Sequence, residues 1–272
     1  MDFKTRTLRR WDDIADYRRY GWLFRGQSDA TQRLGTSLEL CFDRHRIPTA
    51  ARTVVEKELL REFKRAYQQY ASHLPAEQCT LEWLSLMRHH GAPTRLLDFT
   101  YSIYVAAYFA LEDAEERCAI WAVRLSWAYE ETRRLFKSSD KRCDLLDRER
   151  LEENDEALFA ATFLDPPFVP SACPLNPFRL NERLRIQKGI FLIQGDITIP
   201  FEENLKSLPG HDEETNVVRI EIPRSLQEEA IEHLYYMNIT RTSLFPGLDG
   251  YARALRIYHP IFNAKEWTPH EG

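Results

Sequence analysis

The chain has 272 residues, 43% of them hydrophobic and 12% aromatic, enough for a sizeable core in one large domain. A net charge of −5 argues against a protein held to nucleic acid by its overall charge, though a local basic groove stays open. No run approaches the ~20 apolar residues a bilayer span requires, so no membrane partner is expected. The opening Met1-Asp2-Phe3-Lys4 has no apolar signal core. The cysteines at 41, 79, 118, 143 and 173 are scattered, with no Cys-x-x-Cys pair. A reducing, cytoplasmic location without structural zinc is the expectation.

In chain order, a helix is predicted from Trp11 to Tyr20, with Asp12, Asp13 and Asp16 on its wet side. Trp22-Leu23-Phe24 then reads as a strand that hands over to Arg25 and Gly26. A long amphipathic helix follows over Ala50–Ser72, marked by Val54, Val55, Leu59, Phe63 and Tyr67 at helical spacing. Thr80 is placed to cap a helix over 81–90 that Gly91 stops. Leu96–Thr100 reads as a short buried strand, and Ser102 caps a strongly apolar helix from Ile103 to Asp113. Ala119–Leu125 is the clearest strand, and residues 126–165 read as mostly helical.

Five prolines then fall at 166, 167, 170, 174 and 177 among Phe163, Phe168, Val169, Leu175 and Phe178. A stretch so stiff and apolar needs something to pack on. It is predicted to lie as a lid over a cleft lined by Arg25, Thr100 and Gln187; the alternative is a brace on the far side of the core. Strands are predicted at Gly189–Gln194 and Val217–Ile222, and Ser225 with Glu228 has capping-box spacing. Residues 240–252 form a turn leading into a last short helix. Strands separated by helices of unequal length point to one mixed α+β domain over 1–272, with its core at about 20–256 and an excursion at 126–180.

Polar residues gather where strands end. Arg25-Gly26-Gln27-Ser28 puts a permanent cation at a sheet end beside a residue without a Cβ, which suits an approaching phosphate but also an ordinary turn. His89 to Arg95 leads into Asp98, Thr100 and Ser102; Asn181 to Gly189 and Thr242 to Asp249 complete the set. Asp98 interrupts an apolar strand and needs a partner, for which Arg95 and Arg25 are the candidates. It either fixes the loop in an ion pair or orients a pocket group. His89 and His90 are adjacent, so they point different ways on a helix; a shared metal ion would need His45 or Asp98 as well. No Gly-x-Ser-x-Gly elbow and no Gly-rich phosphate loop is present.

Phe24-Arg25-Gly26, the run His90-Gly91-Ala92-Pro93-Thr94-Arg95-Leu96-Leu97-Asp98-Phe99-Thr100, the helix with Ala106-Ala107-Tyr108-Phe109-Ala110, Gln187-x-Gly189-x-Phe191 and Leu244-Phe245-Pro246 together resemble FRG-domain proteins. The family takes its name from the Phe-Arg-Gly motif. A more distant resemblance is to ADP-ribosyltransferases of the Arg-Ser-Glu type. Arg25-Gly26 matches their first strand end; Thr100, Ser102 and the Val105-Ala106-Ala107-Tyr108-Phe109 helix resemble their second element. Asp98 and Phe99 stand where the first Ser and Thr would be, and Gly189 stands where the catalytic Glu is expected.

The transferase resemblance implies a mainly antiparallel, ADP-ribosyltransferase-like sheet with flanking helices, NAD as substrate and a protein, nucleic acid or water as acceptor. It implies catalytic roles for Arg25, Asp98, Thr100 and Gln187, with Glu182 the second choice of carboxylate. Nucleotide contacts would come from Arg25, Gly26, Gln27, Thr94, Arg95, Ser102 and Tyr104. By analogy with microbial relatives, a toxin or phage-defence role follows. Two rival readings are a non-catalytic module binding a nucleotide, nucleic acid or protein partner, and a metal-dependent nuclease using His89, His90 and Asp98.

Overall fold

The five apolar runs of the sequence lie side by side at the centre of one sheet. The computed structural model describes residues 2–70, 75–139 and 156–255. Among these, seven strands form: β1 (Lys4–Thr7), β2 (Trp22–Gln27), β3 (Leu96–Thr100), β4 (Cys118–Arg124), β5 (Ala172–Leu175), β6 (Gly189–Gln194) and β7 (Val217–Ile222). Their order across the sheet is β1-β7-β4-β2-β3-β6-β5. Only β1 and β7 pair in parallel; the other neighbours are antiparallel. The α+β expectation with a mixed, mainly antiparallel sheet therefore holds.

The two strands that sequence patterning misses are the two edges. β1, Lys-Thr-Arg-Thr, is exposed along its length and has no apolar face to read. β5 lies inside the proline-rich stretch, and its Pro174 pairs opposite Leu192. An edge strand is where a ladder tolerates proline, because the missing N–H is not needed by a further neighbour. The lid expectation is thereby corrected. Phe163, Val169 and Leu175 are buried against β6 and the helix α3 (Thr80–His89), while Phe178 is exposed. Neither Phe168 nor Phe178 lines the Arg25 cleft.

Alternation along the central strands sends successive residues to opposite faces. Phe24, Ile120, Ala122 and Ile220 pack under α4 (Ile103–Leu111) and the helix Gln227–Tyr236. Leu23, Phe99, Trp121 and Val123 pack on the other face with Trp127, Phe201 and Leu205. α4 is apolar around most of its girth, and Ser102 caps it as expected, accepting from the Val105 N–H at 3.4 Å. α1 (Ser37–Arg44), capped by Thr36, and the short helices Glu182–Ile186 and Phe201–Lys206 have no clear sequence signal.

Other boundaries shift. α2 covers Arg52–Tyr67, with Val54 exposed and only Glu56 fully buried. The segment Trp11–Tyr17 is a 3-10 turn, not an α-helix. Thr80 is the first residue of α3, not its cap. The Ser225–Glu228 capping box does not form, since Arg224–Leu226 is 3-10 and the helix starts at Gln227. α5 (Leu125–Ser138) and helical turns at 156–164 bear out the helical reading of 126–165. Residues 140–155, the end of the predicted 50–72 helix, Cys143 and residue 256 lie outside the described residues. Among the described residues no helix is long and apolar enough to cross a membrane.

Candidate functional site

β2 and β3 are neighbours but share one bridging pair, Phe24 with Thr100, whereas β2 pairs with β4 from Trp22 through Gln27. Beyond Phe24 the two strands part, and a cleft of about 500 Å³ opens beside them. Arg25 reaches across the gap, its Nη1 donating to the Asp98 carbonyl at 2.9 Å. The loop over Gln32–Gly35 forms one wall, with Gln27 donating to the carbonyls of Gln32 and Arg33 at 3.1 and 3.2 Å. Phe109, Glu112 and Asp113 at the end of α4 form another, and Arg88 and Arg183 enter from the far side.

The Asp98 carboxylate accepts from Arg88 Nε at 2.6 Å. Its partner is thus Arg88, at the end of α3, and neither Arg95 nor Arg25. Burial by itself would raise its pKa; Arg88, Arg25 and Arg183 outweigh that and hold the carboxyl below its ordinary value. Desolvation pulls the Arg25 guanidinium down to about 10, with Asp98 opposing and Arg88 adding to the fall, so it remains a cation at neutral pH. Arg183 is lowered too, by desolvation first, against Asp98 and with Arg88 and Arg241. The Arg183 side chain makes no hydrogen bond or ion pair with any described residue. Its guanidinium lies 4.5 Å from the Phe245 ring centre. Arg241, 4.0 Å from the same ring, is paired with Glu112. Three guanidiniums, of Arg25, Arg88 and Arg183, therefore act on the Asp98 carboxylate, while Glu112, paired with Arg241, and Asp113 also line the cleft.

Of the predicted site residues, the cleft gathers Arg25, Gly26, Gln27, Asp98 and Thr100. Gly26 is required by the packing of the helix. A Cβ at that position would collide with the α4 backbone at Ala106, Phe109 and Ala110. Thr100 Oγ1 donates to the Gln187 carbonyl at 2.7 Å and accepts from the Ser102 N–H, so it is a fixed wall. Gln187 contributes that carbonyl; its side-chain amide donates to the Leu244 carbonyl at 3.1 Å and does not line the cleft.

Arg95 is a correction. It is fully buried, forked onto Glu56 through Nε at 2.6 Å and through Nη2, with Nη1 donating to the carbonyls of Phe163 and Gln194. Thr94 is likewise fully buried, its N–H donating to Ser37 Oγ at 3.1 Å. Ser102 spends its hydroxyl on the α4 cap, and Tyr104 packs against the α4 core cluster. Glu182 lines a separate hollow beyond Arg183. Gly189 sits against Leu184, whose side chain a Cβ there would meet. Among the described residues no three His, Cys, Asp or Glu side chains are close enough to share a metal ion.

Residues 20–118 match the family model of the FRG domain. That stretch of the chain is similar to the FRG domain. No curated protein and no solved structure matches it. The matched FRG stretch supplies β2, α3, β3 and α4, and with them Arg25, Arg88, Asp98 and Thr100. Arg183, which lines the cleft, and Phe245, whose ring supports it, come from outside that stretch. Both were missed as site residues by sequence reasoning, as was Arg88. The signal for Arg88 is the unpaired Asp98, which demands a cation; for Arg183 it is a basic residue in the cluster that leads into β6.

Proposed function

We propose that the cleft binds NAD and that the protein is an ADP-ribosyltransferase-like enzyme. It would break the nicotinamide–ribose bond and pass ADP-ribose to a protein, a nucleic acid or water. The observation that carries this reading is the grouping of Arg25, Arg88 and Arg183 around an ionised Asp98 in a cleft of about 500 Å³. Guanidinium forks match phosphate oxygens, and NAD presents a pyrophosphate. The volume lies within the range of small-molecule and cofactor sites.

The chemistry asks for negative charge beside the sugar. As the bond from ribose C1′ to nitrogen breaks, its electron pair leaves with nicotinamide and positive charge builds on the ribose. An acceptor oxygen or nitrogen then attacks C1′ and gives its proton to solvent. Asp98 supplies a carboxylate whose depressed pKa keeps it ionised at neutral pH. Consumption of NAD in this way suits a toxin or phage-defence effector.

A second reading is a nucleotide-binding module without catalysis. The Arg88–Asp98 pair favours it, because a carboxylate already neutralised stabilises a cation less well. So does Gly189, which stands where the resembled transferases carry a glutamate. Calorimetric titration with NAD, run beside a chromatographic assay for released nicotinamide, tests both. The enzyme reading expects binding and release by the wild type, no binding by Arg25→Ala, and binding without release by Asp98→Asn. Binding without release by the wild type supports the second reading, and absence of NAD binding overturns the first.

A further inference from the structure

We propose that Arg183 forms a second anion subsite beside Arg25, and that the cleft is built for a dinucleotide, with two linked phosphoryl groups and a nucleoside on either side. This rests on the nucleotide reading above. Three hollows meet at this residue: the Arg25 cleft of about 500 Å³, a pocket of about 230 Å³ by Arg88 and Asp98, and a groove of about 1000 Å³ running past His90 and Phe245. Arg183 is the one described residue that lines all three.

Of the four arginines gathered here it is also the one whose side chain bonds to no described residue. Arg25 donates to the Asp98 carbonyl, Arg88 to the Asp98 carboxylate, and Arg241 is paired with Glu112. Among the described residues the Arg183 side chain has none of these, and the face of Phe245 supports it while the N–H edge of its fork meets no described acceptor. A partly buried guanidinium crowded by other cations is unfavourable until an anion arrives. One phosphate satisfies Arg25. A second cation at the junction calls for a second phosphate, joined to the first. With that pair at the junction, one nucleoside has the 500 Å³ cleft and the other the 1000 Å³ groove.

The test is calorimetric titration of wild type, Arg183→Ala and Arg183→Lys with inorganic phosphate, inorganic pyrophosphate, AMP and NAD, with a thermal melt of each protein to verify folding. Wild type should hold pyrophosphate at least about tenfold more tightly than phosphate, as one additional charge-assisted fork would give. Arg183→Ala should lose about that factor for pyrophosphate and NAD, and change little, within about threefold, for phosphate and AMP. Arg183→Lys should recover only part, since a point charge replaces a fork. Equal wild-type affinity for the two inorganic anions overturns the subsite. So does unchanged pyrophosphate binding in a folded Arg183→Ala or Arg183→Lys protein. An equal loss for AMP and NAD overturns the dinucleotide arrangement. Selective pyrophosphate binding without NAD binding supports the subsite and instead overturns NAD as the ligand.

Discussion

Arg95–Glu56 and Arg88–Asp98 are both arginine–carboxylate pairs anchored near the start of β3, yet they do different work. Arg95 and Glu56 have side chains 1% and 5% exposed; Arg88 and Asp98 are 25% and 39% exposed. Every donor direction of Arg95 is answered, by Glu56 and by the carbonyls of Phe163 and Gln194. The Arg88–Asp98 pair instead has Arg25 and Arg183 beside it and a cleft in front. A pair that is closed and balanced fastens elements together, here α2, β3, β6 and the 156–164 segment. A pair that is open and outnumbered by cations is poised to take in an anion.

The largest effect should come from the closed pair. Arg95→Met leaves the Glu56 carboxylate buried without a cation and should cost about 3–5 kcal/mol in urea unfolding. The double variant Arg95→Met/Glu56→Leu should recover much of that loss, because it removes both charges. A double variant as unstable as the single would mean that Arg95 acts through its carbonyl contacts. Next comes Gly26→Ala, which forces α4 away from β2 and should cost about 1–3 kcal/mol. A full-strength fold with impaired NAD binding would instead make Gly26 a ligand contact.

The central strands were legible because each is made mostly of apolar residues, and the α4 cap because Ser102 precedes an apolar helix. The edges were not, since β1 is polar throughout and β5 carries Pro174, which argues locally against a strand. The site divides the same way. Arg25, Asp98 and Thr100 were readable, because each is a polar residue interrupting or ending an apolar strand. Arg95 misled for the same reason: sequence places it three residues from Asp98 but says nothing of Glu56, 39 positions upstream, to which it is bonded. Arg183 and Phe245 were not singled out, because only the tertiary fold brings them from the far end of the chain.

Arg25 should separate binding from stability. Arg25→Ala removes one charge-assisted hydrogen bond to a backbone carbonyl, worth about 1–2 kcal/mol at most, yet NAD binding should fall below detection. Arg25→Lys should also bind poorly, because an ammonium cannot present a fork. Equal NAD affinity in all three proteins would remove Arg25 from the site and leave it as a cross-brace between two parting strands.

Asp98→Asn carries the smallest expected stability change and the most informative one. The pair is partly open to solvent, which screens it, so the loss should be no more than about 1 kcal/mol at neutral pH. Its pKa is depressed in the folded protein, so its contribution is complete above the unfolded-state value and disappears as pH falls through the lower folded value. The stability gap between wild type and Asp98→Asn should therefore close in acid, below the ordinary carboxylate range. Binding should move the other way. Removing the carboxylate that these three guanidiniums share takes away repulsion toward an incoming anion, so pyrophosphate should bind more tightly. Nicotinamide release should meanwhile slow by about 2–4 kcal/mol of barrier, because the charge that favours the ribose cation is gone. Tighter anion binding with slower release is what an open, functional pair produces. A melting loss on the scale of Arg95→Met, with release unchanged, would mean that Asp98 is a fastener like Glu56.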